Sequence, residues 1–377
     1  MAYLGESIKK LGFGLMRLPT IGEGFGADID IEQVKQMVDL FMARGFTYFD
    51  TAYGYANGKS EAAAKTAIVD RYPRESFQLA TKLPAWAGPK TAAEARQMFW
   101  TSLDRTGAKY FDFYLLHNVG GARTDKFDEF GIWDFALEMK AKGLIKHVGF
   151  SFHDTADVLD RVLAAHPEME FVQLQINYGD WESGNVQSRK NYETAMKYGK
   201  PVVIMEPVKG GSLSNLPENV AEVFKKADPK ASQASWAIRF AASLPNVITV
   251  LSGMSTLDQM KDNLSYMADF RPLDEKEKAV VETARETLAS TPRVPCTSCE
   301  YCVKGCPKGI HIPKYFDAMN RYLVYNDLKS AKFEYILTNQ FGSEKASACI
   351  ACGACESVCP QKIKIIDELK RVTTTLE

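Results

Sequence analysis

The chain has 377 residues, 46% hydrophobic and 25% charged, with a formal net charge of −1. That is enough to bury a full core and allows two or three domains of about 150 residues, although a single α/β barrel alone takes about 250. A charge near zero gives no strong field for nucleic acid or an anionic membrane. No apolar run reaches about 18 residues, and the opening MAYLGESIKK lacks an apolar signal core, so a cytosolic protein that binds neither is expected.

Up to about residue 290, short β-branched runs alternate with longer amphipathic segments. The first strand is LGFGL (11–15). A helix follows in DIEQVKQMVDLFMARG, with Asp30 as N-cap, Gln33 three residues on, apolar positions at Ile31, Val34, Met37, Val38 and Phe41, and Gly45 as the stop. GFTYFD (45–50) and SFQLATK (76–82) are strands two and three. TAAEARQMFWTSLDRTG repeats the helix design, with Thr91 as cap, Glu94 closing the box and Gly107 ending it. YFDFYLLH, IKHVGFS, EFVQLQIN, PVVIME and NVITVLSG complete eight strands. They are nearly continuously apolar, as parallel strands covered on both faces should be. Eight strands separated by helices predict a (β/α)8 TIM barrel over residues 1–290. A doubly wound sheet is the alternative, but no GxGxxG follows the first strand.

ASTPRVP (289–295) reads as a domain boundary. Residues 291–377 hold every cysteine of the chain: CTSCEYCVKGCP carries Cys296, Cys299, Cys302 and Cys306, and CIACGACESVCP carries Cys349, Cys352, Cys355 and Cys359. Gaps of two, two and three, then proline, are iron–sulfur ligand spacing, and the fourth cysteine of each such run serves the other cluster. One 4Fe–4S cluster is therefore expected on Cys296, Cys299, Cys302 and Cys359, and a second on Cys349, Cys352, Cys355 and Cys306. Four disulfides would suit a secreted chain, but the body lacks cysteine and the spacing is too regular. Zinc usually uses paired C-x2-C knuckles without the third cysteine and proline. Residues 307–348 look mainly helical, so the domain is expected to be a mainly α-helical two-cluster ferredoxin-like fold.

Barrel enzymes work at the C-terminal ends of their strands. There stand Asp50, Lys82 and His117, with Tyr53 and Tyr55 just beyond the second strand. FDTAYGYANGKSE, LATK, YLLH and GFSFH resemble the signatures of the aldo-keto reductase superfamily, and the whole chain resembles its branch with a C-terminal 4Fe–4S ferredoxin-type domain. The resemblance implies reduction of an aldehyde or ketone, or oxidation of the alcohol, with NADH or NADPH. Its tetrad falls on Asp50, Tyr55, Lys82 and His117. Tyr55 is the acid, Lys82 lowers its pKa, Asp50 holds Lys82, and His117 orients the carbonyl. Tyr53 is read as packing. The usual glycine after the tyrosine is Ala56.

The resemblance also places Ser151 and Gln173 on the nicotinamide amide, although the asparagine that often follows the serine is replaced by Phe152 and then His153. Met205 stands where an aromatic ring commonly covers the nicotinamide. Gly210 and Gly211 would let backbone N–H groups approach the pyrophosphate. Gly253, Ser255, Thr256, Gln259 and Asn263 match the last phosphate loop. Gly253 and Gln259 replace the lysine or arginine of NADPH-preferring members, which leaves NADPH selectivity without support and NADH open, and Lys261 is placed on the solvent side. Trp86 and Trp181 are expected as pocket walls. Nicotinamide moves two electrons and a cluster one. The alternative function is therefore a ferredoxin-linked oxidoreductase in which the clusters exchange electrons with the barrel and with a redox partner protein, through a flavin for which the chain has no motif of its own.

Overall fold

The computed structural model describes residues 4–22 and 27–377. The strands are β1 (Leu11–Gly14), β2 (Thr20–Ile21), β3 (Asp28–Ile29), β4 (Tyr48–Asp50), β5 (Gln78–Leu83), β6 (Phe111–Val119), β7 (Ile145–Phe152), β8 (Phe171–Gln175), β9 (Val202–Met205) and β10 (Val247–Ser252). The helices are α1 (Ile31–Ala43), α2 (Lys59–Ala64), α3 (Ala92–Thr106), α4 (Thr124–Glu129), α5 (Ile132–Ala141), α6 (Ala156–Ala165), α7 (Ser188–Lys197), α8 (Glu218–Ala227), α9 (Gln233–Ala242), α10 (Leu257–Met267) and α11 (Glu275–Ala289). They continue with α12 (Tyr301–Lys304), α13 (Ile312–Tyr325), α14 (Leu328–Gln340), α15 (Ala354–Ser357) and α16 (Ile365–Leu376).

Eight strands close into a barrel in the order β1-β10-β9-β8-β7-β6-β5-β4, every pair parallel; β2 and β3 form a separate antiparallel pair. Tyr48, Phe113, Leu115, Phe171, Val203 and Ile248 form one buried cluster with strand residues from around the barrel. Burying each such large side chain is worth about 1.5–3 kcal/mol. At Gly149 of β7 a Cβ would stand 2.4 Å from the Phe171 carbonyl oxygen, so only glycine lets β7 and β8 approach this closely. Local signals set the helix ends. Asp30 accepts from Gln33 N at 3.0 Å, and Thr91 accepts from Glu94 N at 3.2 Å. Gly107 ends α3 with φ of 62°, and Gly45, left-handed with φ of 74°, closes α1 just past the C-cap Arg44: Gly45 N donates to the Met42 carbonyl at 2.9 Å and Phe46 N to the Phe41 carbonyl at 3.3 Å.

The chain divides into two compact units: residues up to 207 with 234–274, and 208–233 with 275–377. The boundary expected at 290–291 falls inside the second. The first holds the barrel strands. The second holds α8 and α11–α16, and its core includes Ile310, Ile312, Tyr315, Phe316, Leu369 and Val372. Tyr315 stacks on Tyr335 at 4.5 Å, and the Tyr335 hydroxyl accepts from Ala346 N at 2.9 Å. Those contacts join α13, α14 and the segment entering the second cysteine run. Among the described residues no helix is long and apolar enough to cross a membrane.

Candidate active site and cysteine chambers

Asp50 closes β4 and Lys82 lies one residue from the end of β5, on the neighbouring strand. The two are 2% and 1% exposed. The Lys82 ammonium donates to Asp50 Oδ1, to the Thr51 carbonyl at 2.8 Å and to the Tyr55 hydroxyl at 3.2 Å. Tyr55 reaches it from a 3-10 turn in which Ala56 and Asn57 are left-handed, with φ of 49° and 56°. That conformation favours glycine, which accounts for the family's usual residue at position 56. His117 of β6 meets the Tyr55 ring edge-on at 5.8 Å, and its Nδ1 is buried without a partner among the described residues. The Tyr53 ring instead lies under the Arg105 guanidinium, 4.4 Å from its carbon.

The electrostatics follow from burial and this pairing. Loss of hydration raises the Asp50 carboxyl above its ordinary value, against the pull of Lys82. Desolvation pushes Lys82 down, but the charges of Asp50 and Tyr55 outweigh it, and the ammonium is held above its ordinary value. The Tyr55 phenol is raised as well, which departs from the lowering expected from Lys82. Desolvation is the largest cause; Lys82 opposes it, while Asp50 and Glu206 add to it. His117 is held well below 6.5 by desolvation, then by the charges of Lys82 and His153. The site therefore combines a cation, a phenol that keeps its proton and a neutral imidazole.

Around this centre, Gln173 Nε2 donates to Asp50 Oδ2 at 3.5 Å, and Ser151 Oγ accepts from Asn118 N at 2.8 Å. The Trp86 indole N–H is committed to the His117 carbonyl at 2.7 Å. Trp181 packs edge-on against Phe240 at 5.4 Å and lies 6.0 Å from Tyr192. Met205 ends β9, half-buried, and its carbonyl accepts from Ile176 N at 3.1 Å. In the phosphate-loop segment, Ser255 N donates to Gln259 Oε1 at 2.7 Å and Gln259 N to Thr256 Oγ1 at 3.2 Å, a capping arrangement that occupies both side chains. Asn263 accepts from Ser252 Oγ at 3.0 Å, and Lys261 is exposed beside Asp258. Gly210 and Gly211 fall in the other compact unit, in a turn where both are left-handed.

Sequence reasoning did not single out four residues here. Asn118 is left-handed, with φ of 60°, and its Oδ1 is buried without a partner among the described residues. Glu206 is left-handed too, with φ of 56°, and its charge acts on Tyr55. The Thr51 carbonyl holds Lys82. The stem of Arg17 would lie 3.5 Å from a Cβ on Gly253, and the Arg17 carbonyl accepts from Ser255 Oγ at 2.7 Å. Glu206 stood within reach of the rule that strand ends carry chemistry. Asn118 and Arg17 depend on which strands become neighbours.

In the second unit the eight cysteines sort into two chambers. Cys296, Cys299, Cys302 and Cys359 line one; Cys306, Cys349, Cys352 and Cys355 line the other; Ile312 borders both. Among the described residues no three His, Cys, Asp or Glu side chains close on a point suited to a single ion. The thiols surround a volume instead, with mainly apolar walls. Burial pushes the Cys302 thiol up to about 11, with the charges of Cys296 and Cys299 adding, so ionising such a group together calls for positive charge in its midst. Ser298 N donates to Cys296 Sγ at 3.4 Å. The donor set, four thiols per chamber, fits a cubane cluster.

Comparison with known proteins agrees with this layout. Residues 10–286 match the aldo/keto reductase family, and residues 295–363 match the 4Fe-4S dicluster domain. An aldo-keto reductase of Mycolicibacterium vanbaalenii is 29% identical over 255 residues, which are 66% of this chain and 82% of that protein. An aldo-keto reductase of Bacillus halodurans in its holo form superposes with a TM-score of 0.59 at 23% identity, over 75% of this chain and 95% of its own. One from Klebsiella pneumoniae in complex with NADPH gives 0.55 at 19%, over 73% and 90%. The chain is a member of the aldo/keto reductase family that carries a 4Fe-4S dicluster domain after its barrel.

Proposed function

We propose that the barrel site reduces a small aldehyde or ketone, or oxidises the corresponding alcohol, with a nicotinamide cofactor. The observation that carries this reading is the Tyr55 hydroxyl 3.2 Å from a Lys82 ammonium that Asp50 holds in place. When bound, the nicotinamide would supply hydride to the carbonyl carbon. Tyr55 gives its proton to the carbonyl oxygen as negative charge develops there, and Lys82 stabilises the phenolate that remains. A phenol raised by desolvation holds its proton until that moment. His117, neutral, orients the carbonyl and leaves Lys82 as the cation of the site. Buried acceptors at Gln173 Oε1 and Asn118 Oδ1, both without partners among the described residues, suit a ligand bearing N–H groups. An orphaned buried acceptor costs about 1–3 kcal/mol until it is filled. The NADPH complex of the Klebsiella pneumoniae protein supports the cofactor class.

In the second unit, Cys296, Cys299, Cys302 and Cys359 would hold one 4Fe–4S cluster and Cys306, Cys349, Cys352 and Cys355 the other, each supplying one-electron chemistry. Ile312 borders both chambers, which favours electron exchange between the two clusters. Such a relay suits a second reading, in which the clusters pass electrons to or from the barrel and a redox partner. Anaerobic purification decides between the two. About eight irons per chain, four for each cubane, are expected. NADH plus a carbonyl should consume the nicotinamide signal. If the cluster spectrum stays unchanged during turnover, the first reading holds; if it bleaches in step with NADH oxidation, the second does.

A further inference from the structure

We propose that Asn118 supplies the third partner of the nicotinamide carboxamide, accepting its second amide N–H beside Ser151 and Gln173, which the family resemblance already places there. The assignment rests on the nicotinamide reading above. A primary carboxamide offers two N–H donors and one carbonyl acceptor, so a complete partner set is two acceptors and one donor. Three neighbouring strands present that set in one row. Ser151 of β7 faces Gln173 of β8 in register, and on the other side Asn118 of β6 donates its backbone N–H to Ser151 Oγ at 2.8 Å. Gln173 turns its Nε2 toward the Asp50 carboxylate, which can only accept, and this leaves Oε1 as a free acceptor. Asn118 Oδ1 is likewise buried without a partner among the described residues. The Ser151 hydroxyl, whose oxygen takes the Asn118 N–H, keeps its own proton to donate.

The Asn118 backbone is fixed for this task. It is left-handed with φ of 60°, its N–H is held by Ser151, and its carbonyl accepts from Arg123 Nε at 2.9 Å. Position 152, after the serine, is phenylalanine. The second acceptor therefore comes from β6 rather than β7.

Binding of NADH and of its reduced 3-acetylpyridine analogue, in which a methyl ketone replaces the carboxamide, tests the assignment by quenching of tryptophan fluorescence. The analogue keeps the carbonyl and lacks both N–H donors. Wild type should prefer NADH. Asn118→Ala and the near-isosteric Asn118→Leu should weaken NADH about three- to tenfold and leave the analogue within about twofold. Asn118→Asp, which keeps an acceptor, should retain NADH. Equal weakening of both cofactors, or no weakening of either, overturns the role of Asn118. Wild type that binds neither cofactor overturns the nicotinamide reading itself.

Discussion

Lys82 is the residue on which the barrel site turns, because it is a buried cation whose carboxylate partner Asp50 is also buried. Removing one member of such a pair strands the other. Lys82→Met should therefore lower stability by about 3–5 kcal/mol, measured by urea unfolding, as well as abolish activity. A loss below about 1 kcal/mol would mean that Asp50 is neutral in the folded protein. His117 makes an opposite demand. The folded state holds it neutral, whereas the unfolded chain protonates it near 6.5, so the unfolded state binds more protons as the pH falls. Its contribution to stability is present above about 6.5 and is lost as the pH drops toward the depressed native value. His117→Gln should flatten that acid limb in unfolding curves taken between pH 7 and pH 5; an unchanged limb would assign it to other groups. The identities of these residues could be read from the sequence because each stands at the end of a recognisable strand. The raised Tyr55 phenol could not. Its direction depends on how much water the packed mouth excludes, and the residue spacing shows only the nearby cation.

Among the elements, the segment joining β10 to α10 shows why cofactor preference is harder to read than catalysis. Gln259 and Thr256 spend their side chains on the helix cap, and Gly253 offers none, so this segment supplies no charge for a 2′-phosphate. NADH should therefore be used at least as well as NADPH. A preference for NADPH above about tenfold in kcat/KM, ~1.4 kcal/mol, would contradict this. If Arg17→Ala then removed that preference, the arginine beside Gly253 would be its source. Helix caps at Asp30 and Thr91 were legible because a capping box is local in sequence. The row of Asn118, Ser151 and Gln173 was only partly legible, since register between strands separated by helices leaves no local mark. Left-handed backbone at Ala56, Asn118 and Glu206 was likewise hidden. None of these is glycine; Asn118 is held by Ser151 and Arg123, and the Glu206 carbonyl accepts from Asn177 Nδ2 at 3.1 Å.

For the molecule as a whole, two compact units imply two separable losses. The chambers mix cysteines from both runs, so Cys359→Ala should damage the cluster of Cys296, Cys299 and Cys302 rather than the one nearer in sequence. Iron analysis and EPR of the reduced variant check this, and selective loss of the second-run cluster would contradict it. Hydrogen exchange should rise across α13–α16 in that variant while the barrel strands stay protected. The fold class was legible because eight apolar runs and two cysteine runs are signals of number and spacing. The grouping of residues 208–233 with the cysteine-bearing unit was not, because it follows from long-range packing. The central claim is that the barrel is a carbonyl reductase with Tyr55 as its acid. The most direct measurement is the initial rate of NADH and NADPH oxidation with a panel of aldehydes and ketones, for wild type, Tyr55→Phe and Tyr53→Phe. The account predicts carbonyl-dependent oxidation by wild type, a loss of about 10²–10⁴-fold in Tyr55→Phe with cofactor binding retained, and a nearly intact rate in Tyr53→Phe. Full activity in Tyr55→Phe, or a wild type that oxidises neither cofactor with any carbonyl, would contradict it.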